Sequence, residues 1–281
     1  MTAAELALSA NKLASFPDIV FRVNDAVADG SSNAKDIGSI IALDPSLTAS
    51  LLRVANSALY KRANSVDSIE SAVAMVGVTE IRNLVFAVSA GNTFQAIPND
   101  IISMESFWKH SLYCAAAAQH LGNLLPNSNA QSLFTVGLLH DLGHLLMFNQ
   151  CPELSKQSIE HSLNENDGLT PYVSEREIFG FDHMTVGAEL AKHWNFPQPL
   201  QEGILNHHLP FDAERISDNS VIIHVANSVA VLAELESDNL AEAASIDPRA
   251  LRHLKLEPEA LYDAIQATHE AVPELLSLFS L

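Results

Sequence analysis

Phe134-Thr-Val-Gly-Leu-Leu-His140-Asp141-Leu-Gly-His144-Leu-Leu-Met-Phe148 sets three polar side chains in an otherwise apolar run. Apolar residues on every side of a helical stretch mean burial nearly all round, so the segment predicts a core helix over 130–148. On a regular helix His140 and His144, four residues apart, share a face, and Asp141 is turned from them by about 100°, where it can bridge to a second ion. An imidazole and a carboxylate without partners are costly to bury, and a metal ion would satisfy both.

The segments on either side repeat the helical period. Apolar residues recur at three-to-four spacing over 104–125, 152–166, 171–178, 183–194, 197–207, 217–236 and 257–271. Earlier in the chain Asp44 is a cap and Pro45 a first helical residue for Leu47, Leu51, Leu52 and Ala55. Ala72, Val73, Val76, Ile81, Leu84, Val85 and Val88 form a further buried set, with Gly77 as a helix-end residue. Turns are expected at Phe16-Pro17 and at 30–33 (Gly-Ser-Ser-Asn). Alternating strand patterns with tight Asn-Gly turns are absent, so the fold class is all-α, a multi-helix bundle.

Three parts are expected: an N-terminal helical lobe over 1–95, a lobe carrying the polar pocket over 96–236, and a C-terminal helical extension over 237–281. The stretch Ala96 to Asp100, with Pro98, marks the first boundary. The extension has helices opened by Pro248 and Pro258 and packs on the body or on a second copy, a candidate homodimer contact. The alanines at 115–118 let two helix axes approach closely, and the loop 126–129 pairs the helices of His110 and His140 antiparallel.

Five histidines and one aspartate recur in such apolar helical surroundings: His110, His140-Asp141, His183 and His207-His208. Imidazole nitrogen and carboxylate oxygen are ligands of Fe, Mn, Ni and Zn, so the set suggests one or two divalent transition-metal ions. A lone His-Asp pair is ordinarily a hydrogen-bonded core pair, but its recurrence on further helices favours a shared centre. Glu175 and Glu177, upstream of His183, are either an outer carboxylate for an imidazole or solvated surface. Trp194 and Pro197 read as packing and a helix stop, and Arg53 and Asn56 as hydrogen-bonding partners of the turn near Tyr60. His120, His161, His193, His253 and His269 carry no assigned role.

Composition narrows the classes. The 281 residues are 48% hydrophobic, enough for one large domain or two small ones. No apolar run reaches the roughly 18 to 20 residues that cross a bilayer, and the first residues lack a basic region before an apolar stretch, so a cytoplasmic location and no membrane contact are expected. Cys114 and Cys151 read as small buried residues. A formal charge of −19 repels a phosphate backbone, which disfavours direct nucleic-acid binding; it keeps the protein soluble and suits a basic protein partner.

Taken together, several motifs resemble an HDOD domain over about residues 16–227. They are Asp44-Pro45-Ser-Leu47, Leu51-Leu-Arg53-Val-Ala-Asn56-Ser57-Ala-Leu-Tyr60, Ile69-Glu-Ser-Ala72-Val-Ala-Met-Val-Gly77, His140-Asp141, Gly180-Phe-Asp-His183-Met-Thr-Val-Gly187, Trp194-Asn-Phe-Pro197 and His207-His208. The resemblance implies an HD-like helical core, related to phosphohydrolases that hold one or two divalent ions. By it His110, His140 and Asp141 match the first three ligand positions, and His183, His207 and His208 match the extra histidines of the two-metal HD-GYP branch. Asn227 stands where the fourth ligand, an Asp, is expected; its amide oxygen is a neutral, weaker ligand. The Gly-Tyr-Pro segment of HD-GYP enzymes is replaced by Leu-Pro-Phe-Asp after His208, so cleavage of cyclic dinucleotides is not supported. His144 stands where the family often has lysine, as a phosphate or acid/base group or as an outer donor. The resemblance implies a regulatory signalling module whose metal pocket binds protein partners or a small phosphorylated ligand. An active phosphohydrolase acting on a nucleotide or phosphodiester, with Asp141 and His144 as catalytic groups, and a metal-free interaction scaffold are the alternatives.

Overall fold

The computed structural model describes residues 1–9, 17–57, 60, 65–95, 101–126, 128–163, 170–237 and 246–279, and among these the regular structure is helical with no strand. The first helices are α1 (Ala3–Ser9), α2 (Asp18–Ala28), α3 (Ala34–Ile41), α4 (Pro45–Ala55), α5 (Ile69–Val76) and α6 (Val78–Gln95). Their ends follow local chemistry. The Asn33 side chain accepts from the amides of Lys35 and Asp36, and the Asp36 carboxylate accepts from the Asn33 amide, a reciprocal cap that starts α3. Asp44 accepts from the amides of Ser46 and Leu47 at 2.9 and 3.0 Å, with Pro45 in the first turn of α4. Gly77, at φ 101°, makes the corner between α5 and α6 that a residue with a Cβ would strain to adopt.

The remaining helices are α7 (Met104–Asn123), α8 (Ala130–Leu139), α9 (Leu142–Gln150), α10 (Pro152–Ser162), α11 (Pro171–Phe179), α12 (His183–His193), α13 (Gln198–Asn206), α14 (Asp218–Glu234), α15 (Pro248–Leu254) and α16 (Glu259–Phe279). α7 is the central pillar and packs on α8, α14 and α16. Its small residues do bring a neighbour close: a Cβ on Gly137 of α8 would stand 2.8 Å from the Cα of Ala115. In the first half α3 lies on α5, and α2 and α4 lie on α6. α6 then meets α8, and the Phe86 ring sits 4.2 Å from that of Phe196, which extends to the buried Trp194. α1 packs on α12 and α9, and the core runs as one apolar cluster from Ala3 to Leu275.

Two expectations need correction. The helix expected over 130–148 is two helices, broken at His140-Asp141. The helix expected over 257–271 runs on to Phe279 through Pro273, because Val272 and Leu275 are buried in the contact with the body. Asn56 reaches across the segment that contains Tyr60: its amide nitrogen donates to the carbonyls of Leu52 and Val66 and its oxygen accepts from the Val66 amide, while Arg53 donates to Ser50. Tyr60 donates to Glu80 at 2.8 Å, and burial pushes that carboxyl up to about 7. The boundary over 96–100, residues 164–166 of the helix expected over 152–166, Phe16 of the first turn and Asn127 of the α7–α8 loop lie outside the described residues. Among the described residues no single helix is long and apolar enough to cross a membrane.

Candidate metal centre

The break between α8 and α9 builds the site. His140 keeps helical angles, but Asp141 turns to φ −99°, ψ 11°, and the His144 amide bonds back to the Asp141 carbonyl at 2.9 Å. The cause lies across the interface. A Cβ at Gly143 would collide with the His183 carbonyl and stand 2.8 Å from the Gly187 amide, so α9 runs directly against α12. A straight continuation of α8 does not make that contact. The turn also separates His140 from His144: the His140 ring lies 4.9 Å from His207, whereas His144 stacks on His183 at 3.8 Å and 14°. The shared face expected for the two is therefore absent.

Four imidazoles are held in one manner. Nδ1 of His110 bonds to Glu234 at 2.9 Å, that of His140 to the Gly137 carbonyl at 2.7 Å, that of His183 to Glu175 at 2.7 Å, and that of His207 to the Ile204 carbonyl at 2.8 Å. His140 and His207 each stand just past a helix end, and each returns its ring to the carbonyl three residues back, a group the helix itself leaves open. His183 opens α12 behind the cap made by Asp182, which accepts from Thr185 at 2.8 Å and pairs with Arg176 at 2.6 Å. With Nδ1 engaged, Nε2 of all four rings turns toward Asp141. Oδ2 lies 3.2 Å from His140 and 3.8 Å from His110, and Oδ1 lies 3.5 Å from both His183 and His207.

One carboxylate thus faces two histidine groups, one per oxygen. Ligand atoms of His110, His140 and Asp141 fall within 4.8 Å of one another, as do those of His183, His207 and His208, and those of Asp141, His144 and His183. His208 stacks on Tyr172 with ring centroids 5.1 Å apart. Asn227 Oδ1 stands 3.0 Å from His110 Nε2. All seven expected ligand positions and His144 are brought to one place. Glu175 joins them, its carboxylate also 3.2 Å from His144, while Glu177 faces His161 at 3.6 Å. Sequence reading missed Glu234, whose only signal is its place seven residues after Asn227, on the same face of α14. It also missed His224, which donates to the His207 carbonyl and accepts from the Asp247 amide, both at 2.8 Å.

Electrostatics divides the rings. Burial works against charge on His140 and on Asp141, yet their mutual attraction prevails and holds the imidazole's pKa well above, and the carboxyl's well below, its ordinary value. Burial pushes Glu175 up, but His183 and His144 bring it down to about 2. Burial carries His144 and His207 down to about 4, and His208 lower than its usual range.

These residues fit a divalent ion. His140 Nε2 and Asp141 Oδ1 are buried without a hydrogen-bond partner, and the Nε2 atoms of His183 and His207 face each other at 3.3 Å. A cation between nitrogen lone pairs and carboxylate oxygens relieves all of these contacts, and imidazoles anchored through the opposite nitrogen are the form in which proteins present them to metals. A cavity of about 310 Å³ opens onto His110, Asp141, His144, His208 and Asn227, with Tyr172 and Val231 on its wall.

The family model of the HDOD domain matches residues 13–210. The fold is similar to that of a protein from Shewanella amazonensis SB2B provisionally named a phosphohydrolase, with a TM-score of 0.77 and 25% identity over 98% of this chain and 97% of that one. It is also similar to an HDOD domain protein of unknown function from Geobacter sulfurreducens, with a TM-score of 0.75 and 24% identity over 99% and 98% of the two chains. An uncharacterized protein of Treponema pallidum (strain Nichols) is 26% identical over 209 residues, 73% of this chain, and the match spans 39% of that protein's length.

Proposed function

Because the chain belongs to the HDOD domain family, we propose that it is a regulatory signalling module whose divalent transition-metal pocket binds a protein partner or a small phosphorylated ligand. One observation carries this reading: four anchored imidazoles direct Nε2 at the two oxygens of a single aspartate. His110, His140 and Asn227 serve one half of the centre, His183, His207 and His208 the other, and Asp141 bridges them. When bound, Fe, Mn, Ni or Zn supplies a Lewis acid for a phosphoryl oxygen. The chain's own contribution is to keep the rings aimed, and to leave a cavity that reaches Asp141 from outside.

The cavity also supports a second reading, a working phosphohydrolase with Asp141 and His144 as catalytic groups. His144 lines the opening, and an imidazole held at about 4 is neutral at physiological pH, so it accepts a proton there more readily than it donates one. Metal analysis of protein loaded with Mn, Fe, Ni or Zn, followed by a screen of phosphorylated compounds, separates the two. The regulatory reading expects bound metal and ligand, both lost in Asp141→Ala, without turnover. Hydrolysis of a nucleotide or phosphodiester that His140→Ala abolishes would establish the enzyme instead. Less than one ion per loaded chain overturns both.

A further inference from the structure

The two halves of the centre are built differently. His183 and His207 are fully buried, do not line the cavity, and are each fixed at Nδ1 by Glu175 or by the Ile204 carbonyl. With His208 and Asp141 Oδ1, which line the cavity, they offer three nitrogens and an anionic oxygen. The other half joins the fully buried His140 to groups at the opening. His110 is 21% exposed and Asp141 14%, and both line the cavity together with Asn227. His110 already has contacts at both nitrogens, Glu234 at Nδ1 and the Asn227 oxygen at Nε2, 3.0 Å away. To hold an ion its Nε2 must leave that contact, and the amide that then faces the ion brings no negative charge. Two imidazoles and a neutral amide, with His110 and the amide at the opening, make a weaker and faster-exchanging position than three imidazoles of which two lie away from the opening.

We propose that the centre keeps one resident ion in the His183 half and exchanges a second ion in the His110 half, so that occupancy of the outer position follows the free divalent metal of the surroundings and sets the state of the module. This inference rests on the reading of the cavity as a metal centre. Residence and exchange are then properties of two carboxylates, Glu175 behind the inner rings and Glu234 behind His110, and of the neutral side chain at 227.

The test uses the full chain loaded with Mn²⁺ alone, passed through a desalting column and then titrated with Mn²⁺, with bound metal counted by elemental analysis and by electron paramagnetic resonance. One ion per chain is expected to survive desalting and a second to return on titration. Asn227→Asp, which adds the missing charge at nearly constant shape, should tighten only the returning ion, by about tenfold or more. His110→Gln should lose only the returning ion, its fold checked by circular dichroism. Two ions that leave wild-type protein together at one rate, or an outer affinity unchanged by Asn227→Asp, overturn the inference and leave the metal-centre reading standing. No bound Mn²⁺, Fe²⁺, Ni²⁺ or Zn²⁺ under any loading overturns both.

Discussion

At Glu175 a single carboxylate organises two rings. Oε2 accepts from the His183 amide at 2.8 Å and from its Nδ1 at 2.7 Å, and Oε1 lies 3.2 Å from His144. Its pKa of about 2 lies below the 4.5 of a free glutamate, so between those values the unfolded chain binds the proton that the folded one refuses. The stabilisation is therefore complete above pH 4.5 and is lost as pH falls toward 2; for a group so little exposed it is about 3 kcal/mol. Glu175→Ala should lower the unfolding free energy of metal-free protein by about that amount at pH 7, with the gap to wild type closing as urea titrations move from pH 4.5 to 2, and Glu175→Gln should recover part of it. A gap independent of pH would show that packing, not charge, is what the variant loses. From sequence, Glu175 was one of two acids before a glycine, and nothing there distinguished it from Glu177. Gly180, at φ 81°, reverses the chain between α11 and α12 and so brings only Glu175 to His183.

Elements decide where those residues point. The α8–α9 corner exists because α9 crosses α12 at Gly143, where a methyl group meets the His183 carbonyl backbone. Gly143→Ala should push α9 away, lower stability by about 3 kcal/mol, and weaken metal retention, because His183 and Asp141 are both anchored at that crossing. A variant with wild-type melting and full metal content would remove this account of the corner. α16 makes the opposite case: Pro273 lacks the amide that would bond the carbonyl four residues back, yet the helix continues because Val272 and Leu275 are buried. Pro273 is exposed, so Pro273→Ala should restore one backbone bond and raise stability by about 2 kcal/mol, the full helical penalty of proline being offset in part by the freer unfolded chain. Helix existence was legible because apolar period and caps are local. The corner was not, because its cause is a contact between residues forty positions apart in sequence.

Across the whole molecule α7 carries His110 to the cavity and Cys114 into the core while α8, α14 and α16 close around it, so the centre joins elements from nearly the full second half of the chain. An ion bound there stabilises only the folded form. At a metal concentration about a thousandfold above Kd this adds about 4 kcal/mol, which for a chain of this size raises Tm by about 10 °C. Differential scanning calorimetry with Mn²⁺ should show that rise, its reversal by a chelator, and no rise in Asp141→Ala; an equal rise in the variant would place the stabilising ion elsewhere. The helical class, the cap at Asp44, the acidic composition and the recurrence of His110, His140-Asp141, His183 and His207-His208 in apolar helices were all determined by the sequence itself. They depend on periodicity, on side chains within a turn of their partners, and on the expense of burying unpaired polar groups. The tertiary structure alone decided that His144 parts from His140, that each ring offers Nε2 because Nδ1 is taken, that Asp141 gives one oxygen to each side, and that Glu234 stands behind His110. Each of those depends on the orientation of packed helices, which a one-dimensional pattern of apolar and polar residues does not encode.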